Sequence, residues 1–145
     1  MQFFTATVSL LATAGVALAS PLEVRTNTCF DGRAPICLGA TNPSIGTVNK
    51  AQAITTIQQA CAKQPTCVPG TTYNPVTGKM PGYTATLIMG NQCGGVTSWS
   101  QEACLALFLD NVDAKCGGSS SDTLFHTGYL RSVCDNTFVS FNLGG

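Results

Sequence analysis

Residues 56–70 read TIQQACAKQPTCVPG and join the end of an amphipathic helix pattern to a break, with a cysteine on each side of that break. Ile54, Ile57 and Cys61 recur at spacings of three and four, which predicts a helix over residues 48–62 with Cys61 facing inward. The prolines that follow end the helix, because proline cannot continue the hydrogen-bond ladder. The stretch therefore predicts a short helix tied to the rest of the chain near its C-terminal end.

A second helix pattern follows Ser98. Ser98 and Gln101 have the spacing of a capping box, and the glycine pair at 117–118 is typical of a left-handed C-terminal cap. The apolar stripe between these ends consists of Leu105, Phe108, Leu109 and Val112. Both helices are too short to persist alone in water, so each must be held by tertiary packing.

Alternation of apolar and polar residues predicts strands elsewhere in the chain. The segment GYTATLIMGN, residues 82–91, has the period-two pattern of a half-buried strand. GYLRSV at residues 128–133 and NTFVSFNL at residues 136–143 show the same pattern. Residues 71–81, TTYNPVTGKMP, are rich in turn formers and are predicted to be a loop.

The N-terminal residues are typical of a secretory signal peptide. Residues 1–19 have an apolar centre and a small-x-small ending, Ala17-Leu18-Ala19. Cleavage there leaves a single domain over residues 20–145, and a second trim after Arg25 is an open alternative. No other stretch approaches the ~20 apolar residues of a spanning helix. The sequence thus predicts a secreted, extracellular protein that does not insert into a membrane.

The cysteines predict a disulfide framework. An even number in an exported chain favours disulfides over metal ligands or catalytic thiols. With a single histidine and no C-x-x-C motif, no metal site and no cofactor are predicted. All eight cysteines lie in the predicted mature chain: Cys29, Cys37, Cys61, Cys67, Cys93, Cys104, Cys116 and Cys134.

Antiparallel helices would decide part of the pairing. Such helices place the end of the first beside the start of the second, which pairs Cys61 with Cys104. By the same reasoning Cys116, at the end of the second helix, would lie near Cys37, just ahead of the first. Eight cysteines allow on the order of 105 pairings, and these two assignments leave the pairing among Cys29, Cys67, Cys93 and Cys134 open.

Charge and catalytic motifs exclude several classes of function. Seven basic residues balance seven acidic ones, with no basic run of the kind that binds nucleic acid or an anionic membrane. His126 is the sole candidate general base, and no nucleophile motif positions Ser140, Asp122 or Asp135 beside it. His126 is therefore interpreted as an ordinary polar histidine and the chain as a protein without catalytic activity.

Two other residue types have a structural and a functional interpretation. Trp99 is predicted to cover the start of the second helix against the sheet, with an exposed contact role as the alternative. Asp31 and Asp122 show no spacing that marks a glycosidase pair, although carboxylates distant in sequence can meet in a fold.

The order of these parts resembles the killer protein four family, the small cysteine-rich antifungal toxins first known from a virus of smut fungi. The resemblance covers residues 27–134 and depends on spacing around the cysteines. The segments that carry it are the C-x7-C opening from Cys29 to Cys37, IQQAC ending at Cys61, CVPG at 67–70, NQC ending at Cys93, EAC ending at Cys104, and CGG at 116–118.

The resemblance implies an α+β fold, an α/β sandwich in which two antiparallel helices lie on one face of an antiparallel sheet. It also implies inhibition of competing fungi through interference with a calcium channel, and it implies no catalysis. The chain departs from the family in three ways. It has only Cys116 where the family has a Cys-x-x-Cys-Gly motif, and no cysteine in the 71–81 loop, and its net charge is zero where the toxins are basic.

Lys79 is the residue to which the resemblance assigns target binding. It is the only charge in the 71–81 segment and lies where the family carries basic residues implicated in activity. The alternative interpretation is a solvated lysine in a variable loop. The expected partner is a membrane protein of the target cell, a calcium channel, bound by a monomer that does not bind nucleic acid. Two other functions stay open: a virulence effector acting on a plant or animal host, and a small secreted hydrolase built on His126.

Overall fold

The structure is a computed structural model that describes residues 27–117 and 121–144. The predicted signal peptide over residues 1–19, the trim after Arg25 and the capping residue Gly118 lie outside these ranges. The strands are β1 (Ile36–Cys37), β2 (Thr47–Asn49), β3 (Val76–Met80), β4 (Tyr83–Ile88), β5 (Leu124–His126), β6 (Gly128–Arg131) and β7 (Phe138–Leu143). The α-helices are α1 (Leu38–Thr41), α2 (Lys50–Ala62), α3 (Gln101–Phe108) and α4 (Ala114–Gly117).

The strands form two antiparallel sheets. Five of them lie in the order β1-β6-β7-β4-β3, and β2 pairs with β5 in a separate ribbon. The main helices, α2 and α3, pack against each other and against the larger sheet. This confirms the predicted α+β fold with an antiparallel sheet and a disulfide-linked pair of helices.

Helix α2 begins two residues later than the sequence pattern predicts. Residues 47–49 pair with β5 as strand β2, so the chain is extended until Asn49. The Asn49 side chain accepts a hydrogen bond from the Gln52 N–H at 3.1 Å, which caps the helix. The buried face of α2 consists of Ala53, Thr56, Ile57, Ala60 and Cys61, and the inward orientation predicted for Cys61 is confirmed.

Helix α3 is capped by Ser100, so the predicted capping box at Ser98 is wrong. Ser100 is extended and its hydroxyl accepts from the Ala103 N–H at 3.0 Å. Trp99 stays outside the helix because its indole N–H donates to the Gln64 carbonyl at 2.8 Å while its ring packs on the core. The packing role predicted for Trp99 is therefore confirmed. Gln101 donates to the Cys61 carbonyl at 3.0 Å and so satisfies the end of α2.

A π-helical turn, Leu109–Asp113, joins α3 to α4. Such turns insert an extra residue into a helix and are found often at functional sites. This one buries Asn111, Val112 and Asp113, and the Asn111 amide donates to the Leu107 carbonyl at 3.1 Å. The turn therefore places a carboxylate, that of Asp113, inside the protein.

The prediction of a loop over residues 71–81 is wrong for its second half, which is edge strand β3. Its register with β4 places Gly78 opposite Ala85. A Cβ atom on Gly78 would lie 1.9 Å from the Thr56 carbonyl oxygen, so glycine lets α2 approach the strand this closely. The sequence of β3 is rich in turn formers and lacks apolar–polar alternation, so it did not predict a strand. The strand forms because it pairs with β4 and packs against α2.

The larger sheet has one face under the helices and one that no described helix covers. The covered face contributes Ala85, Leu87, Val139 and Phe141 to the core, where they meet Phe30, Ile57, Phe108, Val112 and Phe125. We call the second face the open face. By strand register it carries Ile36, Thr77, Lys79, Thr84, Thr86, Ile88, Tyr129, Arg131, Phe138, Ser140 and Asn142.

All eight cysteines form disulfides. The two predicted pairs, Cys61–Cys104 and Cys37–Cys116, are confirmed, with Cα–Cα distances of 5.9 and 5.4 Å. The structure also resolves the pairing that the sequence left open, as Cys29–Cys134 and Cys67–Cys93. Of the helices in the described ranges, none combines the length and apolar character needed to span a bilayer.

Candidate functional site

Lys79 lies exposed on strand β3, at the edge of the larger sheet. Two backbone groups of β3 that do not pair with β4 form hydrogen bonds with side chains of α2 and its C-terminal cap. Gln59 accepts from the Lys79 N–H at 3.3 Å, and the Lys63 ammonium donates to the Thr77 carbonyl. Since an edge strand with free backbone groups is prone to pair with other chains, these bonds protect the edge and fix the strand.

The surroundings of Lys79 combine polar and apolar side chains, and the Lys63 ammonium lies at the same strand edge. A shallow groove of about 390 Å³ runs between α2 and β3, and Lys79, Gln52, Thr55 and Gln59 lie along it. Within the described ranges, the ion pairs involve Lys50, Lys115 and His126 as cations, and none involves Lys79. The site therefore presents the Lys79 ammonium on a rigid edge, with the Lys63 ammonium bound to the nearby Thr77 carbonyl.

His126 lies in a buried charge cluster that the sequence did not predict. Its Nδ1 is 2.9 Å from Oδ1 of Asp113, and its backbone N–H donates to the same oxygen at 2.8 Å. The other carboxylate oxygen of Asp113 is 3.1 Å from the Lys50 ammonium. Asp113 is only 3% exposed, and its carboxylate is satisfied by the Lys50 ammonium on one oxygen and by His126 on the other.

The cluster orients the imidazole as a carboxylate does in acid–base pairs, but it lacks a nucleophile. In the part of the chain that the structure describes, no serine hydroxyl is hydrogen-bonded to His126. Ser140 lies on the open face, and Asp135 lies in the turn after β6, so the structure does not bring these residues to the histidine. Asp122 makes no contact with it either.

The sequence contained a signal for Asp113. It lies four residues after Leu109, on the helix stripe that was predicted to face the core. A carboxylate in an inward stripe is a candidate for a buried ion pair, because an unpaired buried charge is costly. Its partners Lys50 and His126 could not be assigned, because they reach it through the tertiary fold.

A second groove, of about 680 Å³, lies between residues 27–31 and helix α3 with the π-helical turn that follows it. Asp31, Asp110 and Lys115 line it, and the Lys115 ammonium donates to the Phe30 carbonyl at 2.9 Å. Although Asp110 is an exposed residue, partial burial of its carboxyl raises its pKa, and the nearby Lys115 charge opposes that rise. Lys115 thus acts as a tether for the segment around Phe30. Asp122 lies elsewhere, so the groove does not assemble a pair with it.

Asp135 organises the turn between β6 and β7. Its carboxylate accepts from the Ser132 hydroxyl at 2.6 Å and from the backbone N–H groups of Gln92, Gly94 and Thr137 at 2.9 to 3.0 Å. Burial alone would raise the pKa of Asp135, but hydrogen bonds from Ser132, Gly94 and Thr137 outweigh it and lower the pKa to about 2. Asp135 therefore joins two loops that the disulfides also hold.

In comparisons with known proteins, no protein-family model, no curated protein and no solved structure matches this chain. What the fold and the bridges define is a small cysteine-rich α+β protein with four disulfides, a composition compatible with secretion.

Proposed function

We propose that the protein is a secreted, non-enzymatic toxin of the killer protein four type. In this proposal it inhibits competing fungi by binding, as a monomer, a calcium channel in the target membrane through Lys79. The observation that carries the proposal is the position of Lys79, an exposed ammonium on an edge strand that α2 and its cap hold in place. A channel mouth lined with carboxylates would attract such a group.

The disulfides support a binding role over a catalytic one. A rigid surface loses little conformational entropy when it binds a partner. The disulfides supply that rigidity here. Cys61–Cys104 joins α2 to α3, the helix layer on which β3 rests. Lys79 thus lies on a strand that packs against two helices joined by a disulfide.

Growth inhibition of sensitive fungal cells tests the proposal. Purified protein is expected to slow growth, and added calcium is expected to relieve the effect. Lys79→Ala should weaken inhibition about tenfold or more, since a salt bridge buried on binding is worth several kcal/mol. Arg33→Ala is the matched control, because Arg33 is also exposed but lies in the loop before β1.

Three results would count against the toxin. They are no inhibition of any tested species, inhibition that added calcium does not change, and equal effects of the Lys79 and Arg33 substitutions. Cell death after infiltration into leaf tissue, without antifungal activity, would favour a host-directed effector.

The contact between His126 and Asp113 is the one observation that favours a hydrolase. If a hydrolytic activity uses an imidazole base, His126→Ala must abolish it, because His126 is the single histidine of the sequence. Activity that survives this substitution excludes His126 as the base.

A further inference from the structure

The open face of the sheet carries charge of one sign. Its charged side chains are Lys79 and Arg131, and strand register places no carboxylate on this face. The described acidic residues lie elsewhere, in the helices and the loops: Asp31, Glu102, Asp110, Asp113, Asp122 and Asp135. Although the whole chain is neutral, this surface is complementary to an anion.

Arg131 is positioned before any ligand binds. Its guanidinium carbon lies 4.8 Å from the centre of the Phe138 ring, and one N–H group donates to the Asn136 carbonyl at 3.0 Å. A guanidinium has five N–H donors in a fixed fork, so this bond leaves others available. The exposed Arg131 can therefore present a planar pair of donors, the geometry that suits a carboxylate.

An aromatic ring and a row of hydroxyl groups lie beside Arg131. The Tyr129 ring is half-buried, 5.9 Å from the Phe138 ring. Across the strands, Tyr129 is followed in one row by Ser140, Thr86 and Thr77. Ser140 is buried, but Thr86 and Thr77 are half-buried on adjacent strands about 4.8 Å apart, so the row offers two neighbouring hydroxyl groups beyond Tyr129.

We propose that the open face binds an acidic polysaccharide, with a uronate carboxylate on Arg131 and a sugar ring against Tyr129. The apolar side of a sugar ring packs on an aromatic ring, while hydroxyl groups of the following sugar exchange hydrogen bonds with the Thr86 and Thr77 side chains. Single-stranded nucleic acid fits less well, because such binders follow the backbone with a positively charged groove. Here the two cations lie on different strands at opposite ends of the face. The proposal does not depend on toxin activity.

Binding of an oligogalacturonate to the purified, oxidised protein tests this site by calorimetry. We expect saturable binding that weakens with added salt, and no binding of a cello-oligosaccharide of equal length. Arg131→Gln should weaken binding about tenfold or more, and Arg131→Lys should weaken it as well, because lysine keeps the charge but loses the fork. Tyr129→Ala should also weaken it, whereas Arg33→Gln, a control off this face, should not.

The unfolding transition of each variant is measured in parallel, so that a folding defect is separated from a binding defect. Four results would overturn the proposal: no saturable binding of the oligogalacturonate, unchanged binding by a folded Arg131→Gln protein, equal binding of the neutral oligosaccharide, and equal binding of oligothymidylate or phosphatidylserine vesicles. The last of these would show a general affinity for polyanions.

Discussion

The ammonium of Lys50 lies 3.1 Å from the carboxylate of Asp113, at the opposite end of the helix layer from the disulfide between Cys61 and Cys104. The start of α2 is thus bound to the π-helical turn by an ion pair, and its end is bound to α3 by a covalent bond. The two helices are therefore held antiparallel at both ends. The ion pair responds to pH and salt, whereas the disulfide responds to reducing agents.

Removing the buried carboxylate should destabilise the protein. In Asp113→Ala, Lys50 keeps only its hydrogen bond to the Ser121 carbonyl and His126 loses its carboxylate, and we expect the free energy of unfolding to fall by about 3 kcal/mol. Urea denaturation with the disulfides intact measures it. Asp110→Ala, an exposed position in the same turn, should change stability by less than about 0.5 kcal/mol. Equal effects at the two positions would show that the cluster adds nothing.

Gly78 should not tolerate a methyl group. Gly78→Ala places a Cβ against the Thr56 backbone, and overpacking of this kind costs about 3 kcal/mol. Because α2 must move, we also expect faster hydrogen exchange at the Lys79 N–H, which Gln59 binds. Gly82→Ala is the control: its φ of +82° makes alanine strained, but no atom lies within 4 Å. Protection of the Lys79 amide that survives Gly78→Ala would contradict the packing described.

Stability should depend on the ionisation of Asp135. Its pKa is about 2 in the folded protein, below the ordinary value of 3.8, so its contribution is present above pH 4 and is lost as the pH falls toward 2. The contribution is about 1 to 2 kcal/mol after allowance for solvent screening. Asp135→Asn should lower stability at pH 7 and make little difference at pH 2. A stability loss that is the same at both pH values would exclude this linkage.

The disulfide pairing can be tested directly. Digestion with pepsin at low pH, without reduction, should release peptides that contain the pairs left open by the sequence, Cys29–Cys134 and Cys67–Cys93. Low pH suppresses thiolate exchange, so the pairs found are those of the folded protein. Mass spectrometry before and after reduction identifies them. A bridge from Cys67 to Cys29 or Cys134 would contradict the loop arrangement around Asp135.

The sequence predicted the features that depend on local periodicity. The stripe that ends at Cys61 gave the inward face of α2, and antiparallel helices then gave two of the four disulfides. Strand β4 followed from alternation at residues 83–88. In each case a pattern within about a dozen residues was enough, because burial of one face decides the structure.

The remaining features depend on contacts between distant segments. Helix α3 is capped by Ser100 rather than Ser98, because the Trp99 indole is hydrogen-bonded to the Gln64 carbonyl outside the helix. Strand β3 packs closely against α2, because Gly78 has no side chain at the point of contact. The carboxylate of Asp113 is recognisable as unusual in its helix, but its partners come from other elements. A local sequence pattern cannot predict these contacts, because the residues are distant in sequence and are brought together only by the tertiary fold.

The bridge between Cys29 and Cys134 has a consequence for resistance to proteolysis. It encloses every residue from 29 to 134, so a protease that cuts the chain once at any position in between leaves two fragments still joined by sulfur. A nicked molecule therefore stays in one piece and keeps its neighbouring segments close enough to remain folded. Surroundings rich in digestive enzymes would remove such a protein only after several cuts.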